Sequence, residues 1–389
     1  MTEIEHLREA PSRHAERSAE LGGRVRFTRD DTFYIEVRRR VDEFCKSTGR
    51  RQRDCPQMYI KTAILLTSLA GSWALLVFAA RTWWQAVLLS VVVGLTTAAI
   101  GFNIQHDGSH QAFSDRGWIN KLASLTMDLI GASSYLWHWK HPVFHHTYAN
   151  IEGHDTDIDY GMVGRLSPHQ RHRWMHRFQH IYLWPLYGIV MIKWKFFDDF
   201  KEMIRGRIAA NHRIPRPKGW DLVTFFVGKA VFVGWIFIIP SFFHSPWVVI
   251  LFYVLIEAVL GITMSLVFLL AHMVEPADFP LPLPETGRIE KPWAVHQVET
   301  AVDFSRESRV AAWLFGGLNF QIEHHLFPRY CHINYPAISK IVEETCRDYD
   351  VKYGEHITLM DGIKSHFRFL RELGRPPAKP ATAKTVLSS

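Results

Sequence analysis

A chain of 389 residues with 48% hydrophobic content would ordinarily divide into two or three soluble domains. Here the mean hydropathy is −0.05 because long apolar runs are averaged with a charged remainder, and the net charge is +7. That distribution excludes a soluble globular protein. The four cysteines (Cys45, Cys55, Cys331 and Cys346) form no C-x-x-C pair, so free thiols are expected and an iron–sulfur site is not.

Residues 1–30 are polar. Asp31 and Thr32 then offer caps for a helix whose apolar stripe is Phe33, Val37, Val41 and Phe44. Arg38, Arg39, Arg40, Arg50, Arg51 and Arg53 cluster before the first apolar run, which places this end in the cytoplasm by the positive-inside rule. No apolar run precedes residue 60, so no cleavable leader is expected. Residues 62–80 and 86–104 carry no charge; residues 222–243 and 247–271 carry one each, Lys229 and Glu257. Each run matches the hydrocarbon thickness of a bilayer. Counted from the span ends, Lys229 and Glu257 sit at different depths, roughly 9 Å apart along the axis, so they are not expected to pair. Short turns close both pairs of spans.

The expected architecture is therefore all-α and integral to the membrane. Four transmembrane helices in two hairpins carry a cytoplasmic helical cap, and both termini and everything of consequence lie on the cytoplasmic side. Trp118–Trp137 and Ile181–Ile192 read as interfacial or partly embedded helices rather than spans, because one carries Lys121 and Asp128 and the other is short and holds Pro185. In outline, residues 1–55 form an N-terminal segment with a basic amphipathic helix, 56–371 the membrane body, and 372–389 a disordered tail.

Histidines gather at the cytoplasmic ends of these spans. His106 and His110 lie at i and i+4, on one helical face; His141 and His145 repeat the spacing, with His146 beside them. His272 ends the fourth span. Gln321, His324 and His325 follow, and adjacent imidazoles on a helix diverge by about 100°, as two neighbouring metal ions require. Imidazole suits several transition metals, and so many ligands exceed the needs of one tetrahedral ion. His296 stands near the last cluster, and its role as ligand or neighbour is left open. His138 and His154 read as structural or supporting groups. His169, His172, His176 and His180 alternate with arginines, so they read as basic surface. Asp107, Asp155, Asp157, Asp159 and Glu323 are candidates to orient imidazoles.

The boxes H-x3-H, H-x3-HH and Q-x2-HH, the last within GGLNFQIEHHLFP, resemble the membrane fatty acid desaturase family. The glutamine-headed third box is similar to that of the front-end subgroup. The resemblance implies a non-haem di-iron centre on His106, His110, His141, His145, His146, His272, His324 and His325, with Gln321 a weak ligand. It also implies an acyl lipid or acyl-CoA substrate, O2 as co-substrate and a cis double bond as product. Relatives place an asparagine four residues before the last span's histidine, where Phe268 stands here. The chain holds no His-Pro-Gly-Gly haem motif and no G-x-G-x-x-G after a strand, so electrons are expected from a separate ferredoxin, cytochrome b5 or flavoprotein reductase. No nucleic-acid partner is expected. The rival readings are a related di-iron hydroxylase or oxygenase and, more distantly, a metal transporter or sensor. A transporter would carry its ligands near the bilayer midplane rather than at span ends.

Overall fold

The computed structural model describes residues 25–208 and 212–376. Most of the polar head and of the expected disordered tail lie outside the described residues. In chain order the protein runs through strand β1 (Arg26–Thr28), α1 (Thr32–Thr48), α2 (Pro56–Ala79), α3 (Trp83–Ser109) and α4 (Gly117–Leu129). Helix α5 starts at Ser134–His138, passes through a π-helical stretch, Trp139–His145, and ends at His146–Tyr148. A second π-helical stretch, Trp194–Asp198, joins α6 (Gln179–Lys193) to α7 (Asp199–Arg205). Strands β2 (Arg207–Ile208) and β3 (His212–Arg213) follow, then α8 (Trp220–Ser241), α9 (Pro246–His272), β4 (Arg288–Pro292) and α10 (Trp293–Glu299). The chain closes with β5 (Asp303–Phe304), α11 (Arg309–Leu314), α12 (Gln321–Leu326), α13 (Tyr335–Asp348), β6 (Glu355–His356) and α14 (Leu359–Leu373). The strands form three small sheets, β1–β4 and β5–β6 parallel and β2–β3 antiparallel.

Helices α2, α3, α8 and α9 are long and apolar enough to cross a membrane, in the two expected hairpins. Their ends differ from the apolar runs because helix geometry outlasts hydropathy. Pro56 and Pro246 open their helices at the first turn, where a missing N–H costs nothing. Thr82 and Gln85 form a capping box for α3. At its other end α3 continues through a π-helical turn, Gly101–Gln105, so His106 rides on the last turn of a span. Buried positions make up 67% and 56% of the apolar windows of α3 and α9 but 22% in α2 and α8, so α3 and α9 form the centre of the bundle.

The helix read over Ile181–Ile192 runs on through residues 179–205 and packs against the spans. Helix α6 packs along α9 so closely that a Cβ at Gly261 would lie 2.3 Å from the Tyr187 carbonyl oxygen. The intramembrane charges find their partners here. Glu257 accepts from Lys195 Nζ at 2.7 Å, and Lys229 Nζ donates to Asp199 at 2.7 Å and to the Gly131 and Lys195 carbonyls. The two charges do not pair with each other, and Lys229 does not snorkel; each meets an opposite charge on the same intervening helix. Removing one member of the fully buried Lys195–Glu257 pair strands the other. Glu257→Ala should therefore cost about 3–5 kcal/mol, whereas the isosteric double replacement Lys195→Met with Glu257→Leu should cost far less. Thermal unfolding of both variants in detergent checks this, and equal losses would refute it.

Helix α1 buries Phe33, Val37, Val41 and Cys45, so its stripe turns at Cys45 and leaves Phe44 half-buried. Asp30, not Asp31, accepts the Thr32 N–H. The stripe packs on Ile338, Val342 and Cys346 of α13. Arg39 and Arg40 are held by Glu36, Glu43 and Asp348, which converts part of the basic cluster into an ion-pair network.

Candidate metal centre

Four separate segments bring imidazoles to one place. His106 and His110 come from the end of α3, His141, His145 and His146 from α5, His272 from the end of α9, and His324 and His325 from α12. Gly316, in left-handed backbone at φ +60°, lets the approach to α12 lie against α3; a Cβ there would stand 2.4 Å from the Phe102 carbonyl oxygen. All eight rings are buried. They divide into two groups whose ring nitrogens converge within 4.8 Å: His106, His110, His141 and His324 in one, and His145, His272 and His325 in the other. His146 lies between them, its centroid 4.5 Å from His324 and 4.4 Å from His325. The adjacent His324 and His325 thus serve different groups. The Gln321 amide nitrogen lies 3.0 Å from His272 Nε2 and 3.2 Å from His325 Nε2.

The outer ring nitrogens are held by acceptors and a hydroxyl. His272 Nδ1–H donates to the Thr300 carbonyl at 2.8 Å, and His325 Nδ1–H to Gln297 Oε1 at 2.6 Å. His145 Nδ1 meets both Asp155 oxygens at 3.1 Å, and the Tyr335 hydroxyl stands 3.3 Å from His324 Nδ1. Asp157 lies 3.6 Å from His141 Nδ1 and 3.5 Å from His145 Nδ1. A carbonyl acceptor at Nδ1 requires the proton there, which leaves Nε2 as a bare lone pair. His272 Nε2 and His325 Nε2 then face each other at 3.2 Å, and His106 Nε2 faces His141 Nε2 at 3.0 Å. The inward Nε2 atoms of His110, His145, His146 and His324 have no partner among the described residues. The Gln321 amide can donate to the His272 and His325 atoms, whereas the four unpartnered Nε2 atoms are buried acceptors of the kind a cation satisfies.

Electrostatics agree with that geometry. Burial, reinforced by the neighbouring imidazoles, holds His110, His141, His146, His324 and His325 well below the ordinary histidine range, so they stand neutral and ready to ligate. His145 is the exception. Burial opposes its charge, but Asp155 and Asp157 outweigh burial and raise it to about 9.

Of the other predicted groups, His296 lies outside both histidine groups, its ring 5.1 Å from Phe27. Its neighbour Gln297 faces the site instead. Asp107 accepts from the His332 ring at 2.9 Å, and His332 Nε2 lies 3.0 Å from Lys61 Nζ. Glu323 accepts from the Tyr353 hydroxyl, and Asp159 from the Gly161 N–H, so these three acids do not orient the clustered rings. His154 packs against Tyr148 and His212, while His138 meets Trp139. His172 and His176 bond the Gly374 and Met162 carbonyls away from the centre. Phe268 packs 5.7 Å from His141, an apolar ring beside the clustered imidazoles.

Seven buried imidazoles in two groups, with His146 between them, at one end of a four-span bundle define a membrane protein with clusters that could hold metal. The chain belongs to the fatty acid desaturase family, whose model matches residues 81–356. It is 38% identical over 359 residues to a sn-1 linoleoyl-lipid 6-desaturase of Arthrospira platensis, an alignment covering 92% of this chain and 97% of that one. An acyl-lipid (8-3)-desaturase of Physcomitrium patens is 35% identical, with 89% and 72% covered, and one of Mortierella alpina is 31% identical, with 90% and 80% covered. The protein is an acyl desaturase.

Proposed function

We propose that this protein is an O2-dependent front-end desaturase that inserts a cis double bond into the acyl chain of a membrane lipid, through a non-haem di-iron centre. The observation that carries the reading is the convergence of buried ring nitrogens into two groups, with the Nε2 atoms of His110, His145, His146 and His324 unpartnered among the described residues. His106, His110, His141 and His324 would hold one iron; His145, His272 and His325 the other, with His146 between. Gln321 supplies the polar group nearest the second position, where Phe268 leaves the wall apolar. His296 has no place in this set.

Bound iron supplies the oxidising power, drawn from O2, that an unactivated methylene demands. The balance is one acyl chain, one O2, two electrons and two protons in, and one alkene and two waters out. The chain's own residues do the rest. Thr300, Gln297, Asp155 and Tyr335 hold the outer ring nitrogens, fixing each imidazole's direction. Trp137, stacked 4.7 Å from His141, and Phe268 wall the site with apolar surface that excludes water. None of these groups can supply reducing electrons repeatedly, so a separate ferredoxin, cytochrome b5 or flavoprotein reductase does. We place the centre and both termini on the cytoplasmic side, on the arginines that precede the first span.

Expression in a host with a simple lipid profile, fed acyl chains of different length, tests the reading. The new cis bond should stay at one distance from the carboxyl end, mapped by mass spectrometry. A bond fixed relative to the methyl end would refute front-end action. A hydroxylated main product would refute desaturation and favour the oxygenase alternative.

A further inference from the structure

Several arginines of the cap are neutralised by acids, as Arg40 is by Glu36 and Asp348, Arg306 by Glu343 and Glu355, and Arg368 by Glu275. The hairpin of β2 and β3 is the opposite case. Arg205, Arg207, Arg213, Arg216 and Lys218 are all exposed, and no acid occurs between residues 205 and 218. None of the five makes an ion pair among the described residues. Arg207 and Arg213 are direct register partners across the ladder. Like charges placed opposite one another destabilise a strand pair. The neighbouring sheet repeats the arrangement, with Arg26 opposite Arg288. Both sheets sit on one apolar core, because Ile208, Ile214, Val25 and Ile289 pack with Phe144 and Tyr148.

That core is the outer side of the second histidine box. His212, within the basic hairpin, stacks on Phe144 at 4.0 Å and 19°, and on Tyr148 at 5.9 Å and 9°. Phe144 directly precedes His145 and His146. The positive surface therefore lies against Phe144, the residue that leads into His145 and His146.

We propose that this two-sheet lobe, centred on Arg207 and Arg213, is the docking surface for a small acidic one-electron carrier protein that delivers the two electrons of each turnover. The inference rests on the desaturase reading above and specifies its partner. A membrane surface is the poorer occupant: four spans already hold the protein in the bilayer, and the second arginine pair belongs to a sheet of the cap. Steering by such a patch raises encounter rates and is screened by salt.

The test uses the full-length, iron-loaded protein in zwitterionic nanodiscs. Binding of a [2Fe–2S] ferredoxin and of soluble cytochrome b5 is measured directly, and turnover is followed with each reduced carrier and, separately, as a single turnover in which the iron is reduced with dithionite under anaerobic conditions, excess dithionite is removed and O2 is then admitted. R207E/R213E should weaken carrier binding and raise the carrier KM by about ten-fold or more, and flatten the salt dependence. Its kcat at saturating carrier and its dithionite-driven turnover should stay within about two-fold of wild type. The milder R207Q/R213Q should fall between, and R171E/R177E should leave carrier binding unchanged. Unchanged binding in both hairpin variants overturns the proposal, as does failure of either carrier to bind the wild-type protein. A loss confined to anionic-lipid discs, and equal with dithionite, assigns the patch to the membrane and also overturns it. Absence of product from wild type with dithionite strikes the desaturase reading instead, while carrier binding still decides the docking surface.

Discussion

His324→Ala should lower iron content from about two per chain and reduce turnover by more than the roughly 10–100-fold typical of lost supporting contacts. The His324 ring lies 4.4 Å from His106 and 4.9 Å from His110, so its loss opens one side of the first group. His145→Ala should do the same to the second. His172→Ala is the control: that ring bonds the Gly374 carbonyl, and its iron and activity should match wild type. Metal analysis and product yield on the same preparations give the answer. Full iron loading with activity intact in His324→Ala would falsify its place in the centre.

Gln297→Ala should lower metal affinity by about 10–100-fold, although Gln297 touches no metal position itself. Its Oε1 is the acceptor that keeps the proton on His325 Nδ1, and without it the ring can turn or take the other tautomer. Gln297→Glu keeps an acceptor there and should retain most of the iron. His296→Ala should keep the iron centre, at a cost in stability alone, because that ring packs on Phe27. Chelator competition on the three variants separates them. Iron held more tightly by the Gln297 variant than by the His296 variant would reverse the assignment.

The difference between residues 296 and 297 shows where sequence reading ends. Spans and boxes were legible because each depends on composition or spacing over a few neighbouring residues. The four apolar runs announced the bundle, and the two adjacent-histidine boxes announced two metal positions. What supports the rings was not legible. His272 is held by a main-chain carbonyl at Thr300, which carries no side-chain signal, and His324 by Tyr335, on another helix. A histidine beside the third box drew attention that belonged to the glutamine next to it, because the rotation of a seven-residue helix is set by packing. Asp107 was misread for a related reason. It sits between two box residues in sequence, yet on the helix it points away, to His332. Residues 181–192 were read as an interfacial or partly embedded helix because they are few and hold Pro185, and the ion pairs that tie the end of this helix to the neighbouring spans carry no local signal.

Those buried pairs have a consequence for biogenesis. Lys195 and Asp199 leave the ribosome before either partner exists: Lys229 follows by 30 residues and Glu257 by 62 from their respective mates. A charged helix facing acyl chains alone is unfavourable, so residues 179–205 have no stable resting place beside the first hairpin. They settle only when the second hairpin is threaded, Asp199 first with α8 and Lys195 afterwards with α9. The last of these closures also brings the end of α9, and His272 with it, beside the imidazoles of α3 and α5, while His324 and His325 follow later on α12. A chain arrested before the second hairpin therefore carries unpaired charge that the finished bundle does not.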